Sequence, residues 1–340
     1  MADRNAPTIP VIALTGYLGA GKTTLLNHVL RTPEARIGVV INDFGELNVD
    51  AGLVAGQVDE PVSIAGGCIC HLPDEGGLDE ALEKLADPKL ALDAIIVEAS
   101  GVAEPTAVSR VIRFSGVERI RHGGVVDVVD AVEHFDTVDT AEAPPARYSA
   151  ASLVVVNKLD RIAEAAREDA LRRVEARVRE LNPDAHVVGA VAGRVDPRLL
   201  YDVDDGGESG QMSFRELLLD DSADAHPHDH VHADAVTVVS DGAVDPGPLI
   251  DLLEQPPRGV YRIKGTVAIG RRHYLFNVVG TSVHVTTVAA STGANHLVAI
   301  GTHLDTDDVR VRLEKVLRPC PEKVAAAGMR RLQRLRQYSI

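Results

Sequence analysis

Gly16-Tyr17-Leu18-Gly19-Ala20-Gly21-Lys22-Thr23 decides how this chain is read. It has the complete Gly-x-x-x-x-Gly-Lys-Thr spacing of a P-loop. Before it, Ile9–Thr15 is a short apolar run with Val11, Ile12 and Leu14, as expected of a buried parallel strand. After it, Thr23-Thr24-Leu25-Leu26 opens a helix. The glycines let the backbone turn tightly, so that N–H groups around Gly19, Ala20 and Gly21 converge on a phosphate. The helix that begins near Thr24 adds its positive end to the same anion. Lys22 is expected to reach the β- and γ-phosphates, and the Thr23 hydroxyl to ligate Mg2+.

Moving outward, Asn157-Lys158-Leu159-Asp160 follows the apolar run Leu153–Val156. Asp160 can accept from guanine N1–H and the exocyclic amine, Asn157 can reach the O6/N7 side, and the stem of Lys158 can cover the base. Adenine offers Asp160 no matching donors, which disfavours it by about 1–3 kcal/mol. Ala94–Val97 leads into Glu98, a candidate holder of a Mg2+-bound water and the third expected catalytic residue beside Lys22 and Thr23. Small residues follow it, Ala99-Ser100-Gly101, as in a loop that moves with the γ-phosphate. The expected ligand is therefore GTP or GDP with Mg2+.

Two further motifs point to a second metal. Asn42–Asp50 brings three acids close to the expected phosphate site; Asp43 is a candidate for the Mg2+ shell and Glu46 for another ion. Gly66-Gly67-Cys68-Ile69-Cys70-His71 places two thiols two residues apart, on one side of an extended segment. With His71 they form a borderline-soft donor set suited to Zn2+, with Co2+ or Ni2+ as alternatives. Cys320 stands alone, so a closed zinc ribbon is not expected.

Composition fits a globular protein without secretory features. The 340 residues suffice for two domains, and the net charge of −15 argues against a nucleic-acid or membrane-surface role. Three cysteines make no disulfide framework. No apolar run approaches the roughly 20 residues of a membrane span, so a cytoplasmic location is expected. Arg330, Arg331, Arg334 and Arg336 cluster at the end and read as a solvated helix face or a frayed tail.

Apolar runs alternate with helix-like stretches from residue 9 to about 200, the last helix being Arg161–Leu181. The alternation predicts an α/β fold, a P-loop NTPase with a mostly parallel sheet and helices on both faces. The expected limits are 1–201 for this domain and 202–235 for an acidic, His-rich linker carrying His226, His228, His230 and His232. A smaller α+β domain follows at 236–340, with four strands (Ala235–Ser240, Gly259–Ala268, His273–Val279, Ser282–Val288) and helices at Pro246–Glu254 and Asp305–Leu317.

Together, Leu14–Asn27, Asn42–Asp50, Gly66–Cys70, Glu98–Pro105, Asn157–Asp160, the His-rich segment and Arg262-Ile263-Lys264-Gly265 resemble the CobW family of P-loop GTPases. The resemblance implies a GTP-binding domain, a CobW-type C-terminal domain, and a metal chaperone or insertase acting on a client metalloprotein. It also implies that Cys70 and Glu46 are ligands, with Cys68 or His71 completing the shell. The family motif is usually Cys-x-Cys-Cys; here its last position is His71. The expected function is a GTP-hydrolysing zinc chaperone, with a nucleotide-responsive zinc buffer or sensor and a cobalt or nickel chaperone as alternatives. A homodimer is left open.

Overall fold

The computed structural model describes residues 8–31, 35–42, 62–64, 76–201, 232–288, 294–320 and 326–339. Asp43, Glu46, Cys68, Cys70, His71, His226, His228 and His230 lie outside the described residues.

The first part of the chain contains β1 (Ile9–Gly16), β2 (Ile37–Asn42), β3 (Val62–Ile64), β4 (Ala94–Glu98), β5 (Ile120–Asp130), β6 (Leu153–Asn157) and β7 (His186–Gly189). Its helices are α1 (Lys22–Leu30), α2 (Gly76–Leu85), α3 (Pro105–Arg113), the short α4 (His134–Thr137) and α5 (Glu164–Leu181). The strands form one seven-stranded sheet in the order β3-β2-β4-β1-β5-β6-β7. Every pairing in it is parallel.

Alternation along β1 builds two cores. Ile12 and Leu14 meet Leu25, Leu26 and Val29 of α1 on one face. Val11 and Ala13 join Leu82 of α2, Val97 of β4 and Val108 of α3 on the other. Because both faces are covered, β1, β4 and β6 are buried along their whole length, which is why each reads as an unbroken apolar run. The α/β reading is therefore correct.

The second part is a five-stranded antiparallel sheet made of β8 (Asp234–Ser240), β9 (Val260–Ile269), β10 (Arg272–Val279), β11 (Ser282–Val288) and β12 (Asn295–Gly301). Its order is β11-β10-β9-β12-β8. Three helices accompany it, α6 (Pro246–Glu254), α7 (Thr306–Val316) and α8 (Ala326–Tyr338). Leu249, Leu253, Leu313 and Leu332 from these helices share a core with Ile263, Phe276 and Leu297.

Two expectations change and one narrows. Strand β12 was not foreseen, because Asn295, Ala299 and Gly301 weaken its β signature. The helix expected from Arg161 begins at Glu164: Lys158 is left-handed (φ 66) and Leu159–Arg161 form a 3-10 turn before Ile162 extends. Of the two readings of the terminal arginines, the helix face holds and the frayed tail does not: Arg330, Arg334 and Arg336 are exposed on α8, which is docked on the second sheet's core. There Arg331 pairs with Asp251 at 2.6 Å and Glu254 at 2.7 Å, and Leu332 is buried. Among the described residues, no helix is long and apolar enough to cross a membrane.

The two sheets meet through a common core. Tyr261 and Val279 from the second sheet belong to the same buried cluster as Leu153, Val155 and Val188 from the first. The Tyr261 hydroxyl lies 3.0 Å from Ser152 Oγ, and its ring stacks on His186 at 5.2 Å between centroids. His186 Nε2 in turn lies 2.9 Å from Thr302 Oγ1. Burial holds the His186 ring at about 4, against its usual 6.5. The unfolded chain therefore takes up this proton first as pH falls. Stability from neutral His186 is whole above about pH 6.5 and declines toward about 4. The urea midpoint should fall as pH drops from about 7 to about 5, and fall less in His186→Phe, which keeps a stacked ring that does not titrate. Equal slopes in parent and variant would refute this assignment.

Candidate functional site

The loop between β1 and α1 is shaped by backbone constraints that glycine alone meets. Gly21, the residue preceding the first turn of α1, has φ +102, and a Cβ there would stand 2.3 Å from Asn157 Nδ2. No side chain caps α1, so its first-turn N–H groups remain directed at the loop. Tyr17, Leu18, Gly19 and Thr24 are exposed, Ala20 is buried, and Lys22 and Thr23 are half-buried. Lys22 Nζ donates to the Gly16 carbonyl at 3.0 Å, folding the ammonium back over the loop.

Sheet order brings the next group into place. β4 lies beside β1 with Leu14 opposite Glu98 in register. Thr23 Oγ1 consequently donates to Glu98 Oε1 at 3.0 Å, and Glu98 is only 3% exposed. A hydroxyl and a carboxylate meeting beside a phosphate cradle are hard oxygen donors, the type that Mg2+ takes. The loop leaving Glu98 lies tightly on the loop leaving β1: a Cβ on Gly101 would stand 2.8 Å from the Leu18 backbone nitrogen.

The base-reading candidates end β6, two strands from β1. Asn157 is 2% exposed and is engaged on two sides. Its Nδ2 donates to Ala20 O at 2.9 Å, and its Oδ1 accepts from Gly193 N at 2.8 Å. It thus braces the P-loop against the loop after β7, a role that the sequence reading did not assign. Lys158 Nζ pairs with Asp130 Oδ2 at 2.6 Å. Burial works to raise the Asp130 pKa, but Lys158 and the N–H groups of Val132 and Glu133 outweigh it and hold this carboxyl below its usual range. Asp160 is exposed, within the 3-10 turn of Leu159–Arg161. A cavity of about 210 Å3, lined by Tyr17, Gly19, Asp130, His134 and Lys158 among others, opens beside the loop.

Two residues of this region were missed from sequence. Asp127 on β5 is fully buried and accepts from Thr15 Oγ1 at 2.8 Å. It also receives a two-pronged contact from Arg147, Nε at 2.9 Å and Nη2 at 2.8 Å. Thr15 directly precedes the P-loop, so the buried pair anchors the loop's root. Removing one partner of such a pair costs about 3–5 kcal/mol, because the other charge is left buried alone. The available signal was an acid inside the apolar run Val125-Val126-Asp127-Val128-Val129.

The expected metal ligands fall outside the described residues. Asp43, Glu46, Cys68, Cys70 and His71 follow the parallel neighbours β2 and β3, whose ends Asn42 and Ile64 are in register, but they lie beyond what is described. Among the described residues, no group of three or more His, Cys, Asp or Glu side chains could hold a metal ion.

Comparison with known proteins follows the same division. A model of the CobW/HypB/UreG nucleotide-binding domain matches residues 10–189, more than half of the chain. A model of the cobalamin synthesis protein cobW C-terminal domain matches 233–317. The chain is 27% identical to the zinc chaperone CobW of Sinorhizobium sp, over 92% of this chain and 97% of that protein. It is 30% identical to the zinc chaperone YjiA of Escherichia coli strain K12, over 57% of this chain and 61% of that one. The crystal structure of Zn(II)-bound YjiA GTPase from E. coli aligns with 92% of this chain and 99% of its own, at 22% identity and a TM-score of 0.43. By the match of its nucleotide-binding domain, this chain belongs to the CobW family.

Proposed function

We propose that this protein hydrolyses GTP to GDP and phosphate and uses that cycle to deliver a divalent metal ion, zinc first, to a client metalloprotein. The carrying observation is the 3.0 Å contact between Thr23 and Glu98 at the mouth of the P-loop. Relatives named as zinc chaperones support the cargo. Residues 1–201 form the GTP-binding domain in this reading, 202–235 the acidic linker and 236–340 the C-terminal domain, all in the cytoplasm.

Thr23 and Glu98 would hold Mg2+ and its water, and the bound ion would offset charge gathering on the β- and γ-phosphates. Lys22 would exchange the Gly16 carbonyl for phosphate oxygens. Asp160 would accept from guanine N1–H and N2, while Asn157 keeps the base loop and the P-loop in fixed relation. A water oxygen attacks the γ-phosphorus, the bond to the β–γ bridging oxygen breaks, and GDP leaves with that electron pair. The proton lost by the water passes to the released phosphate or to solvent. The cargo ion would be gripped by Cys70 and Glu46, with Cys68, His71 and Asp43 as further donors. A thiolate–imidazole–carboxylate set suits zinc.

Glu98 supplies the link between the two ligands. It leads directly into the loop that lies on Leu18, and β4 is the neighbour of β2, whose end precedes Asp43 and Glu46. Loss of the γ-phosphate would be felt along both connections, which is what coupling requires.

Three measurements test this reading. Lys22→Ala should lower GTP turnover by about 100-fold or more without unfolding the protein. Nucleotide competition on Asp160→Asn should show GTP binding weakened about 10- to 100-fold and xanthosine triphosphate strengthened, because xanthine presents a carbonyl where guanine has its amine. Zinc titration with Mg2+ and a non-hydrolysable GTP analogue should show affinity lost in Cys70→Ala. Zinc-responsive binding with no turnover under any condition would reduce the protein to a buffer, and undiminished affinity in Cys70→Ala would remove this cargo site.

A further inference from the structure

A second cavity, of about 420 Å3, lies between the two sheets at the end opposite the P-loop. Its walls include residues at the starts of β5 and β6, whereas the nucleotide motifs occupy strand C-terminal ends. Thr106, Ser109, Arg110 and Arg113 of α3 line one side at i, i+3, i+4 and i+7, a single helical face. Gly280 and Thr281, in the turn between β10 and β11, line another.

The floor is a bulge. The register of β1 against β5 shifts between Val11 and Ala13, opposite His122-Gly123-Gly124. Gly124 has φ +107, and a Cβ there would stand 2.7 Å from Ser152 Oγ and 3.0 Å from Val279 Cγ1. The bulge lets the second sheet approach and turns His122 toward α3. His122 Nδ1 accepts from Gly124 N at 3.3 Å, which places the hydrogen of the neutral ring on Nε2. That hydrogen is donated to Ser109 Oγ at 2.9 Å. Burial, with Arg113 and Arg121 adding to it, holds His122 at about 4, so the ring stays neutral near pH 7.

Two consequences follow. The nitrogen facing Ser109 is a donor, so this pair is not a base and its nucleophile. Ser109 accepts from His122, so its own hydrogen is left to donate into the cavity. Arg110 and Arg113 beside it have no ion-pair partner among the described residues, in a chain with 50 acids and 35 bases. Asp184 is the acid of this lining, opposed by two guanidinium groups. Phe114, 72% exposed, adds an apolar wall at the rim.

We propose that this cavity binds a small dianion, a phosphate or a dicarboxylate, held by Arg110 and Arg113 with Ser109 donating a hydrogen bond to it. Paired guanidinium groups recognise both chemistries. The volume is that of a small-ligand pocket. An occupant would bridge α3 and the Thr281 turn, and so tie the two sheets together. α3 also connects this cavity to the loop after Glu98: its nine residues span about 13 Å from that loop toward the bulge.

The test uses the full chain saturated with GDP and Mg2+, so that the P-loop is closed to added anions. Inorganic phosphate and malonate are titrated separately by calorimetry, while NMR follows the His122 ring. Binding of either with one-to-one stoichiometry, with the His122 resonances moving at the same midpoint, is expected, and the stronger of the two names the chemistry. Arg113→Gln and Arg110→Gln should each weaken it by about 10-fold or more, with Arg113→Lys partly restoring it. Both arginines are exposed, so these variants should keep the parent's melting temperature. No binding at tens of millimolar, a silent His122, or undiminished binding in both Gln variants would overturn the proposal.

Discussion

A parallel sheet in which β4 is inserted between β1 and β2 is the constraint on which the rest depends. It makes the strand that ends in the P-loop and the strand that ends in Glu98 immediate neighbours. Glu98 is then buried with its carboxylate against Thr23, and the loop that follows it packs on Leu18. The chain need not specify that contact separately, because two apolar strands of matched register deliver it.

Around this centre, polar groups that the sheet buries serve as braces. Asp127, at no measurable exposure, ties Thr15 to Arg147. Asn157 ties the P-loop to the loop after β7. Each would be costly if left unpaired, so each fixes its partners strongly. The loops of the site are thus positioned from beneath, by buried side chains.

Local chemistry was legible in the sequence wherever spacing alone defines it. The P-loop glycines, Lys22, Thr23 and the apolar runs of β1, β4 and β6 read directly, because burial on both faces leaves no polar interruption. Contacts made between distant segments did not read. Asp127 and Arg147 are 20 residues apart, and neither announces the other. Asn157 matched a base-reading motif, yet its bracing bonds depend on Ala20 and Gly193, positions that only the folded sheet brings together. Strand β12 was hidden by weak formers; its neighbours β8 and β9 supply the pairing that its composition does not. The cysteine motif reads only as donor chemistry, since its geometry lies outside the described residues.

The core shared by the two sheets reaches beyond binding. Tyr261 and Val279 fill space against Leu153 and Val188, and the bulge at Gly123-Gly124 leaves room for that approach. Neither half therefore owns a finished surface on that side. A gene cut between them would encode two fragments with a sticky apolar seam, and insertions there would meet the same objection.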